Sequence, residues 1–391
     1  MPRTKKKAVL KHPTKVGYVA LVGRPNSGKS TLINTLLGQK IAIISDKPQT
    51  TRISILGIKT TEKGQIIFID NPGIHKPLHS LNKRMMNFVY SSLETSDLIC
   101  LLIDATERYG HGDEFVLETL KKVTTPLFLL INKVDIVRKD NILPIIDKYK
   151  DLLPFKEIIP ISALKGINVD VLEELIYEYL PEAEKVFSDD EISDQSERFL
   201  LSEIIREKVL NHVEKELPFV TAVYIEKIEK RGTEGQARGE LQHENGAARA
   251  EEGEERTEVE TEASAGEEQQ AATPEASEEQ EKGAGSAGAG PRDEEEVAKG
   301  EEVGEVSAEV ESPKKRRLPM TYIRATIFVE KDNHRKIIIG RHGSLIKTIG
   351  TEARREIQDI LETKVYLDLQ VRVREKWRDS PDVLDLIEGQ K

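Results

Sequence analysis

Five apolar runs of strand length, spaced between residues 17 and 180, constrain the fold of this 391-residue chain more than any other feature. Amphipathic stretches of helix length separate these runs. Such alternation predicts β-α-β units, in which helices cover both faces of a mainly parallel, doubly wound sheet. A further run at 53–60 predicts an additional, antiparallel strand at the sheet edge. The five runs read GYVALVG, IIFID, LICLLID, PLFLLIN and EIIPIS.

A strongly acidic segment interrupts the second half of the chain. Between Arg231 and Glu311 there are 25 Asp and Glu against 7 Lys and Arg, a balance of −18. The other residues hold 44 acidic and 51 basic side chains, so they carry +7, which suits a polyanionic partner. Residues 231–312 contain no Phe, Trp or Tyr, and such a composition buries too little apolar surface to offset its ordering entropy. The sequence therefore predicts a disordered acidic insertion over 231–318.

Cysteine content and hydropathy indicate the compartment. The single cysteine, Cys100, lies in an apolar run and excludes an intramolecular disulfide. The basic N-terminal tail, residues 1–15, lacks the apolar stretch of a secretory signal. The longest apolar runs are far shorter than the roughly 20 residues that cross a bilayer. We therefore expect a cytoplasmic protein.

The segment Gly23–Ser30 reads GRPNSGKS and lies between a predicted strand and a predicted helix. A Gly-x-x-x-x-Gly-Lys-Ser pattern in this context is the phosphate-binding loop of nucleoside triphosphatases. Its glycines let backbone N–H groups close around a β-phosphate at the N-terminus of a helix. Lys29 is expected to reach the β- and γ-phosphates, and the Ser30 hydroxyl is expected to bind Mg²⁺.

Two later segments indicate the base. INKVD at 131–135 follows a predicted strand, so its side chains lie at the carboxyl edge of the sheet, where ligands bind. The Asp135 carboxylate can accept hydrogen bonds from N1–H and the 2-amino group of guanine, whereas adenine offers neither donor. The backbone N–H of Ala163, in ISALKG at 161–166, suits guanine O6. Together these motifs predict a GTP site.

Two segments that lie between these motifs are candidate switches. In DNPG at 70–73, Asp70 would hold Mg²⁺ through water and the Gly73 N–H would meet the γ-phosphate. The polar loop DKPQTTRIS at 46–54 can supply a Thr hydroxyl to Mg²⁺ only when a γ-phosphate is present. We favour Thr51 for this role, with Thr50 as the alternative.

The C-terminal part predicts a helix at 196–216, strands at 219–230 and 320–331, two helices separated by a Gly-x-x-Gly turn, and a strand at 364–375. This order is that of a KH module of the second topological type. The two strands that flank the acidic segment would form one hairpin, because loop-closure entropy grows only with the logarithm of loop length. A short terminal helix follows from Pro381.

The Gly-x-x-Gly turn is a candidate RNA-binding loop. Gly340 and Gly343 let the backbone approach a nucleic-acid strand, and Arg341 can neutralise a phosphate. His342 lies within the turn. Positive charge nearby comes from Lys336 and Lys347, whereas Arg354 and Arg355 fit a solvated helix face equally well. Trp377 would either stack a base or pack in a core.

The motifs GRPNSGKST, QTTR, DNPGIHKP and NKVD, followed by GTEAR and KVYLDLQVRV, resemble those of the Era-like GTPases of bacteria. The resemblance covers the chain except the acidic segment, where relatives have a short turn. It implies a GTPase that binds the 3′ end of 16S ribosomal RNA through its KH domain. It also implies a role in assembly of the small (30S) ribosomal subunit and peripheral contact with the cytoplasmic membrane.

One position departs from Ras-like enzymes, which orient the attacking water with a Gln after the Asp-x-x-Gly glycine. Ile74 stands there and offers no hydrogen-bonding group. His75 is a weak candidate for a base. In GTPases that resemble this one, an Asn in the place of Asn26 helps to hold a monovalent cation, so we expect K⁺ to stimulate a slow hydrolysis. The alternative is an RNA-binding protein whose nucleotide domain only senses GDP and GTP.

These expectations define domains and sites. The expected domains are a basic tail (1–15), a GTPase domain (16–182), a linker (183–195), a KH domain (196–230 and 319–380), the insertion (231–318) and a terminal helix (381–391). The expected catalytic residues are Lys29, Asp70, Gly73, Thr51 and Asn26, and the expected Mg²⁺ ligands are Ser30, Thr51 and Asp70. The expected GTP contacts are Gly23, Arg24, Pro25, Asn26, Ser27, Gly28, Lys29, Ser30, Thr31, Asp70, Asn71, Pro72, Gly73, Ile74, Asn132, Lys133, Val134, Asp135, Ser162, Ala163 and Leu164. The expected RNA contacts are Lys336, Gly340, Arg341, His342, Gly343 and Lys347, and the protein is expected to be a monomer.

Overall fold

The computed structural model describes residues 14–231 and 320–391. The predicted acidic insertion, apart from Arg231 at the end of a strand, and most of the basic tail lie outside the described residues. The first part of the chain forms a six-stranded sheet from β1 (Lys15–Gly23), β2 (Ile55–Thr61), β3 (Gly64–Asp70), β4 (Leu98–Asp104), β5 (Leu127–Asn132) and β6 (Phe155–Pro160). Their order is β2-β3-β1-β4-β5-β6. All neighbours are parallel except β2, which pairs antiparallel with β3 at the edge, as predicted.

Helices cover both faces of this sheet. They are α1 (Lys29–Leu37), α2 (Ser80–Thr95), α3 (His111–Leu120), α4 (Ile142–Tyr149) and α5 (Val169–Tyr179). Successive residues of β1 alternate between two apolar cores: Val19 and Leu21 pack with α1 and α5, whereas Ala20 and Val22 pack with α2 and α3. Cys100 is fully buried in the first of these cores. The predicted doubly wound α/β fold is therefore confirmed.

The second part of the chain builds a three-stranded sheet. Its elements are α6 (Glu197–His212), α7 (Leu217–Val220), β7 (Ala222–Arg231), β8 (Met320–Val329), α8 (Asp332–Ile339), α9 (Ser344–Leu361), β9 (Lys364–Val373) and α10 (Pro381–Glu388). The antiparallel pair β7 and β8 forms the predicted hairpin, and β9 lies parallel to β8. One apolar core joins α6, α8 and α9 to one face of this sheet. The element order is that of a KH module of the second topological type, as predicted.

The structure corrects two element boundaries. The helix predicted over 196–216 ends at His212, because Val213 adopts an extended backbone and buries its side chain in the core. Pro218 does not end that helix; it lies in the first turn of α7, where its missing N–H removes no hydrogen bond. The strand predicted from residue 219 consequently begins at Ala222.

The residues predicted as a linker pack against the sheet. The Gln65 side chain accepts hydrogen bonds from the N–H groups of Val186 and Phe187, at 3.0 and 2.9 Å. The carbonyl of Ile192 accepts a hydrogen bond from the Ile58 N–H at 2.9 Å. This segment therefore covers the edge of the larger sheet on its way to α6.

The terminal helix α10 touches both parts of the chain. Arg84 of α2 pairs with Asp385 and Glu388 at 2.6 and 3.0 Å. Leu384 of α10 packs with Ala222 and Phe328 of the second sheet, and just after the helix the Gln390 side chain accepts a hydrogen bond from the Ile225 N–H of β7 at 2.7 Å. Both sheets lie in one compact unit. Within the described ranges, none of the helices has the length and apolar character that a membrane span requires.

Candidate nucleotide site and nucleic-acid interface

The phosphate loop, Gly23–Ser30, links β1 to α1 at the carboxyl edge of the larger sheet. Gly28 caps α1 with a φ of +98°, and a Cβ there would lie 2.2 Å from Asn132 Nδ2. Only glycine fits such a position without displacing its neighbours. The loop therefore presents the N-terminus of α1, whose free backbone N–H groups favour an anion.

Two opposite charges are buried beside this loop. Lys29 is 5% exposed, and its Nζ donates to the Arg24 carbonyl at 3.0 Å. Burial lowers the pKa of Lys29 to about 8, although the Asp70 carboxylate opposes the change. Burial raises the pKa of Asp70, and Lys29 and the hydroxyls of Ser30 and Thr51 oppose that change. Such perturbed buried groups in a cleft are typical of a functional site.

Three oxygen-bearing side chains meet where the phosphate loop and the switch loop converge. The Ser30 Oγ donates to Asp70 Oδ2 at 2.7 Å, and the Thr51 Oγ1 lies 3.3 Å from the same oxygen and 3.0 Å from Ser30 Oγ. Asp70 Oδ1 is buried and has no hydrogen-bond partner among the described residues. The Thr50 hydroxyl instead donates to the Lys47 carbonyl at 2.6 Å. The geometry therefore favours Thr51 over Thr50.

The stretch after Asp70 is held mainly by its backbone. A Cβ on Gly73 would lie 2.6 Å from the Pro25 nitrogen, so this segment rests on the phosphate loop. The Ile74 N–H donates to the Gly23 carbonyl at 2.9 Å, and the Ile74 side chain is buried. Asn71 is fully buried and accepts a hydrogen bond from Ser54 Oγ at 2.8 Å. The side chains of Ile74 and Asn71 are packing groups in this structure, and their expected contacts with GTP stay predictions.

Both ring nitrogens of His75 are engaged. Nδ1 lies 2.7 Å from the Gly73 carbonyl, which can only accept, so Nδ1 carries the proton. Nε2 then accepts from the Asn82 amide at 2.8 Å. No nitrogen of His75 is left to activate a water, so the structure does not support this residue as a base.

Asn132 fastens the base pocket to the phosphate loop. Its Nδ2 donates to the Ser27 carbonyl at 2.8 Å, and its Oδ1 accepts from the Ala163 N–H at 2.9 Å. In this structure the Ala163 N–H, which was predicted to contact guanine O6, therefore donates to Asn132 instead. No sequence motif indicates this contact between Asn132 and Ala163. Lys133 Nζ pairs with Asp104 at 2.5 Å, while Asp135 is half-buried and its carboxylate has no partner among the described residues.

Other predicted contacts separate into those that line the nucleotide cleft and those that do not. The Arg24 guanidinium turns to Glu107 and Asp113, at 2.8 and 3.1 Å, and it does not line the cleft. Ser162 is buried, Val134 is half-buried and Leu164 is exposed. The predicted residues that line the cleft are Pro25, Asn26, Gly28, Lys29, Ser30, Thr31, Thr51, Gly73 and Lys133.

Five residues in the switch loop or just before it line the cleft, although the sequence analysis did not select them as site residues. Asn26 Nδ2 donates to the Asp46 carbonyl at 2.5 Å, which ties the phosphate loop to the switch loop. The only sequence signal for these residues is their position within or just before the switch loop at 46–54. The missed lining residues are Ile43, Ile44, Ser45, Asp46 and Gln49.

The predicted RNA-binding loop is exposed at the start of α9. Arg341 and His342 are exposed, as is Lys347 in the first turn of the helix. The charge of Lys336 is partly offset by Asp332, which lies 3.0 Å away. The loop therefore combines a helix N-terminus with exposed cationic side chains, which suits a phosphate backbone.

Trp377 does not belong to this surface. It is 1% exposed, and its Nε1 donates to the Val220 carbonyl at 2.8 Å. A base cannot stack on a ring that is enclosed in this way. Of the two expectations for Trp377, the structure supports the core position.

A P-loop GTPase domain joined to a KH module is the class of protein that this fold and these loops define. A family model described as 50S ribosome-binding GTPase matches residues 18–133, and a KH domain model matches residues 303–378. Both matches agree with the two sheets described above.

Two solved structures of Era are similar to almost the whole chain. One is a crystal structure of Era in complex with MgGDPNP and nucleotides 1506–1542 of 16S ribosomal RNA; it is 35% identical, with a TM-score of 0.71, and the match covers 96% of this chain and 98% of that chain. The other is a variant of Aquifex aeolicus Era bound to GDP and AlF4⁻, 35% identical, with a TM-score of 0.70 and coverage of 96% and 99%. The chain therefore belongs to the Era family of GTPases.

Proposed function

We propose that this protein hydrolyses GTP and uses its nucleotide state to control binding of the 3′ end of 16S ribosomal RNA during assembly of the 30S subunit. The observation that carries the proposal is the convergence of Ser30, Thr51 and Asp70 beside the phosphate loop, in a chain that also exposes a Gly-x-x-Gly loop. A similar Era structure contains MgGDPNP together with nucleotides 1506–1542 of 16S ribosomal RNA. We take the GTPase domain as residues 16–182 and the KH domain as residues 196–230 and 319–380.

Mg²⁺ fits the residues present. Hydroxyl and carboxylate oxygens are the ligands this ion prefers, and the buried Asp70 Oδ1 has no partner among the described residues. Ser30 and Thr51 would hold the ion, with Asp70 acting through water. When bound, Mg²⁺ neutralises negative charge on the β- and γ-phosphate oxygens.

The chain's own groups would do the remaining work of hydrolysis. Lys29 supplies positive charge to the phosphates, and the Gly73 N–H binds the γ-phosphate. Asn26 Oδ1 accepts no hydrogen bond within the described part of the chain, so it is available to a K⁺ ion. We expect K⁺ to stimulate single-turnover hydrolysis more than Na⁺ does, and Asn26→Ala to weaken that stimulation. Equal rates in the two salts would exclude the K⁺ site.

The KH module supplies the RNA contacts in this proposal. Arg341, His342 and Lys347 would contact the RNA strand, with Gly340 and Gly343 at closest approach. Lys336 adds charge that Asp332 partly offsets. We further propose a cytoplasmic monomer whose contact with the membrane is peripheral and electrostatic. Flotation with anionic vesicles tests that contact, and its absence at low ionic strength would refute it.

An RNA-binding protein that only senses nucleotide is the competing function. Single-turnover phosphate release by the wild-type protein and by Lys29→Ala separates the two. Equal phosphate release from the two proteins would support the competing function, an RNA-binding protein that only senses nucleotide. RNA identity is tested by crosslinking in the GTP-analogue state and sequencing the bound RNA. Enrichment of messenger or transfer RNA over 16S ribosomal RNA would overturn the assignment.

A further inference from the structure

Three consecutive residues of the switch loop contact different parts of the protein. The Thr51 side chain lies 3.0 Å from Ser30 and 3.3 Å from Asp70, in the nucleotide site. Its neighbours Thr50 and Arg52 instead contact the KH module. The backbone of Thr51 is therefore held between two attachments to another domain.

Arg206 provides the first attachment. It lies on α6, is 3% exposed, and its Nη2 donates to the Thr50 carbonyl. Glu203, one turn earlier, accepts from Arg206 Nε and Nη2 at 2.7 and 2.6 Å. A bidentate pair of this kind fixes the plane of the guanidinium, and so it fixes the direction of the bond to Thr50.

Arg52 provides the second attachment. It is 7% exposed and donates to the carbonyls of Thr221 and Pro218 at 2.6 and 2.9 Å. Its guanidinium carbon lies 5.6 Å from the centroid of the Trp377 ring. All three partners belong to the KH module, so a side chain of the switch loop is buried in the neighbouring domain.

Glu203 is paired with Arg206, and its charge also acts on the buried Arg52. The pKa of Arg52 is lowered to about 9, first by burial and then by the charges of Arg206 and Arg378, while Glu203 opposes these effects. Arg52 Nε and Arg206 Nη1 are buried and have no hydrogen-bond partner in the described ranges. Buried donors without partners are rare, and buried ion pairs are weak evidence for stability. A requirement to hold the switch loop explains this arrangement better than a contribution to stability does.

The segment just before the switch loop is also tied to the KH module. The Ile44 N–H donates to Glu207 of α6 at 3.0 Å. Lys40 pairs with Glu207 and with Glu356 of α9, both at 2.6 Å. Helix α9 begins directly after Gly343, the last residue of the RNA-binding loop. Two packed helices therefore connect that loop to the switch.

We propose that Arg206 and Arg52 are positioning residues, which hold Thr51 at Ser30 and Asp70 and make the nucleotide site depend on the placement of the KH module. This inference rests on the proposed function and adds the contacts that regulate it. Because coupling between two binding sites is reciprocal, RNA then changes the affinity for a GTP analogue by the same factor by which the analogue changes the affinity for RNA.

The test compares Arg206→Gln with Arg198→Gln in the full-length protein. Arg198 is a matched control, because it lies on the same helix and donates to a backbone carbonyl, that of Ile225 at 2.7 Å, within the KH module. Two quantities are measured: the single-turnover rate of GTP hydrolysis, and the ratio of RNA dissociation constants with GDP and with a GTP analogue. We expect Arg206→Gln to lower the rate about tenfold and to bring the ratio close to one, since it loses a charged hydrogen bond. The control should change neither.

Arg206→Lys tests whether a loss of activity comes from the missing hydrogen bond or from misfolding. Its ammonium group can still donate to the Thr50 carbonyl. We expect it to recover part of the rate, with GDP affinity and thermal unfolding close to wild type. A wild-type rate and ratio in Arg206→Gln, or the same loss in Arg198→Gln, would overturn the inference. A wild-type protein that neither hydrolyses GTP nor binds RNA would instead refute the proposed function itself.

Discussion

Two glycine-rich loops precede helix N-termini in this protein, and they differ in how they are built. The phosphate loop is braced from inside: Lys29 is buried, and a Cβ on Gly28 would collide with Asn132. The RNA-binding loop is open at its second glycine, because a Cβ on Gly343 would have no atom within 4 Å, whereas a Cβ on Gly340 would lie 2.8 Å from Leu345. In our proposal the first loop would bind phosphate through a braced backbone, whereas the second would bind RNA through exposed cationic side chains. The same residue changes should have very different effects in the two loops.

The largest effect is expected from Gly28→Ala in the phosphate loop. The new Cβ adds strain at a φ of +98° and displaces Asn132, which holds Ser27 and Ala163. Together these losses should lower GDP affinity by about 1,000-fold. Titration with a fluorescent GDP measures the loss. Gly110→Ala is the control, because Gly110 has a φ of −161° and open space around its Cβ. Near-normal affinity in Gly28→Ala would show that the loop is not rigid.

The next largest effect is expected from Asp135→Asn in the base pocket. The substitution removes a carboxylate that is expected to accept from two guanine donors, so GTP affinity should fall about 100-fold. Affinity for xanthosine triphosphate should rise, because the new amide can donate to its 2-oxo group. Competition binding with the two nucleotides measures both changes. Asp140→Asn, at an exposed carboxylate nearby, serves as the control. Unchanged preference for GTP would remove Asp135 from the site.

A smaller effect is expected from Arg341→Ala in the RNA-binding loop. One phosphate contact would be lost, so RNA affinity should fall about fivefold at moderate salt. The slope of log affinity against log salt is negative, and its magnitude should decrease by about 1. Arg335→Ala is the matched control, since Arg335 is paired with Asp332 at 2.7 Å on the preceding helix. An unchanged salt slope in Arg341→Ala would mean that this loop does not contact phosphate.

The smallest effect is expected from Gly343→Ala, the counterpart of Gly28→Ala. Only the strain of a φ of +76° opposes it, so the free energy of unfolding should fall by about 1 kcal/mol. GDP affinity should not change. Urea unfolding and GDP titration measure the two quantities. Lost GDP binding, or a destabilisation several times larger, would contradict the view that this loop is open.

Much of the fold and of the nucleotide site could be predicted, because the signals are local. Apolar alternation, the spacing of GRPNSGKS and INKVD, and the turn at Gly340 each depend on neighbouring residues. The contacts that were missed join distant segments: Asn132 to Ala163, and Arg52 and Arg206 across two domains. No local pattern distinguishes a buried Arg from a solvated one, and the end of α6 depended on where Val213 could bury its side chain.

The central claim is that nucleotide state and RNA binding are coupled in one molecule. Its most direct test is the dissociation constant of an oligonucleotide with the 3′-end sequence of 16S ribosomal RNA, measured with GDP and with a non-hydrolysable GTP analogue. We expect tighter binding with the analogue by about fivefold or more, the usual range of a coupling free energy. Equal affinity in the two states would contradict the claim.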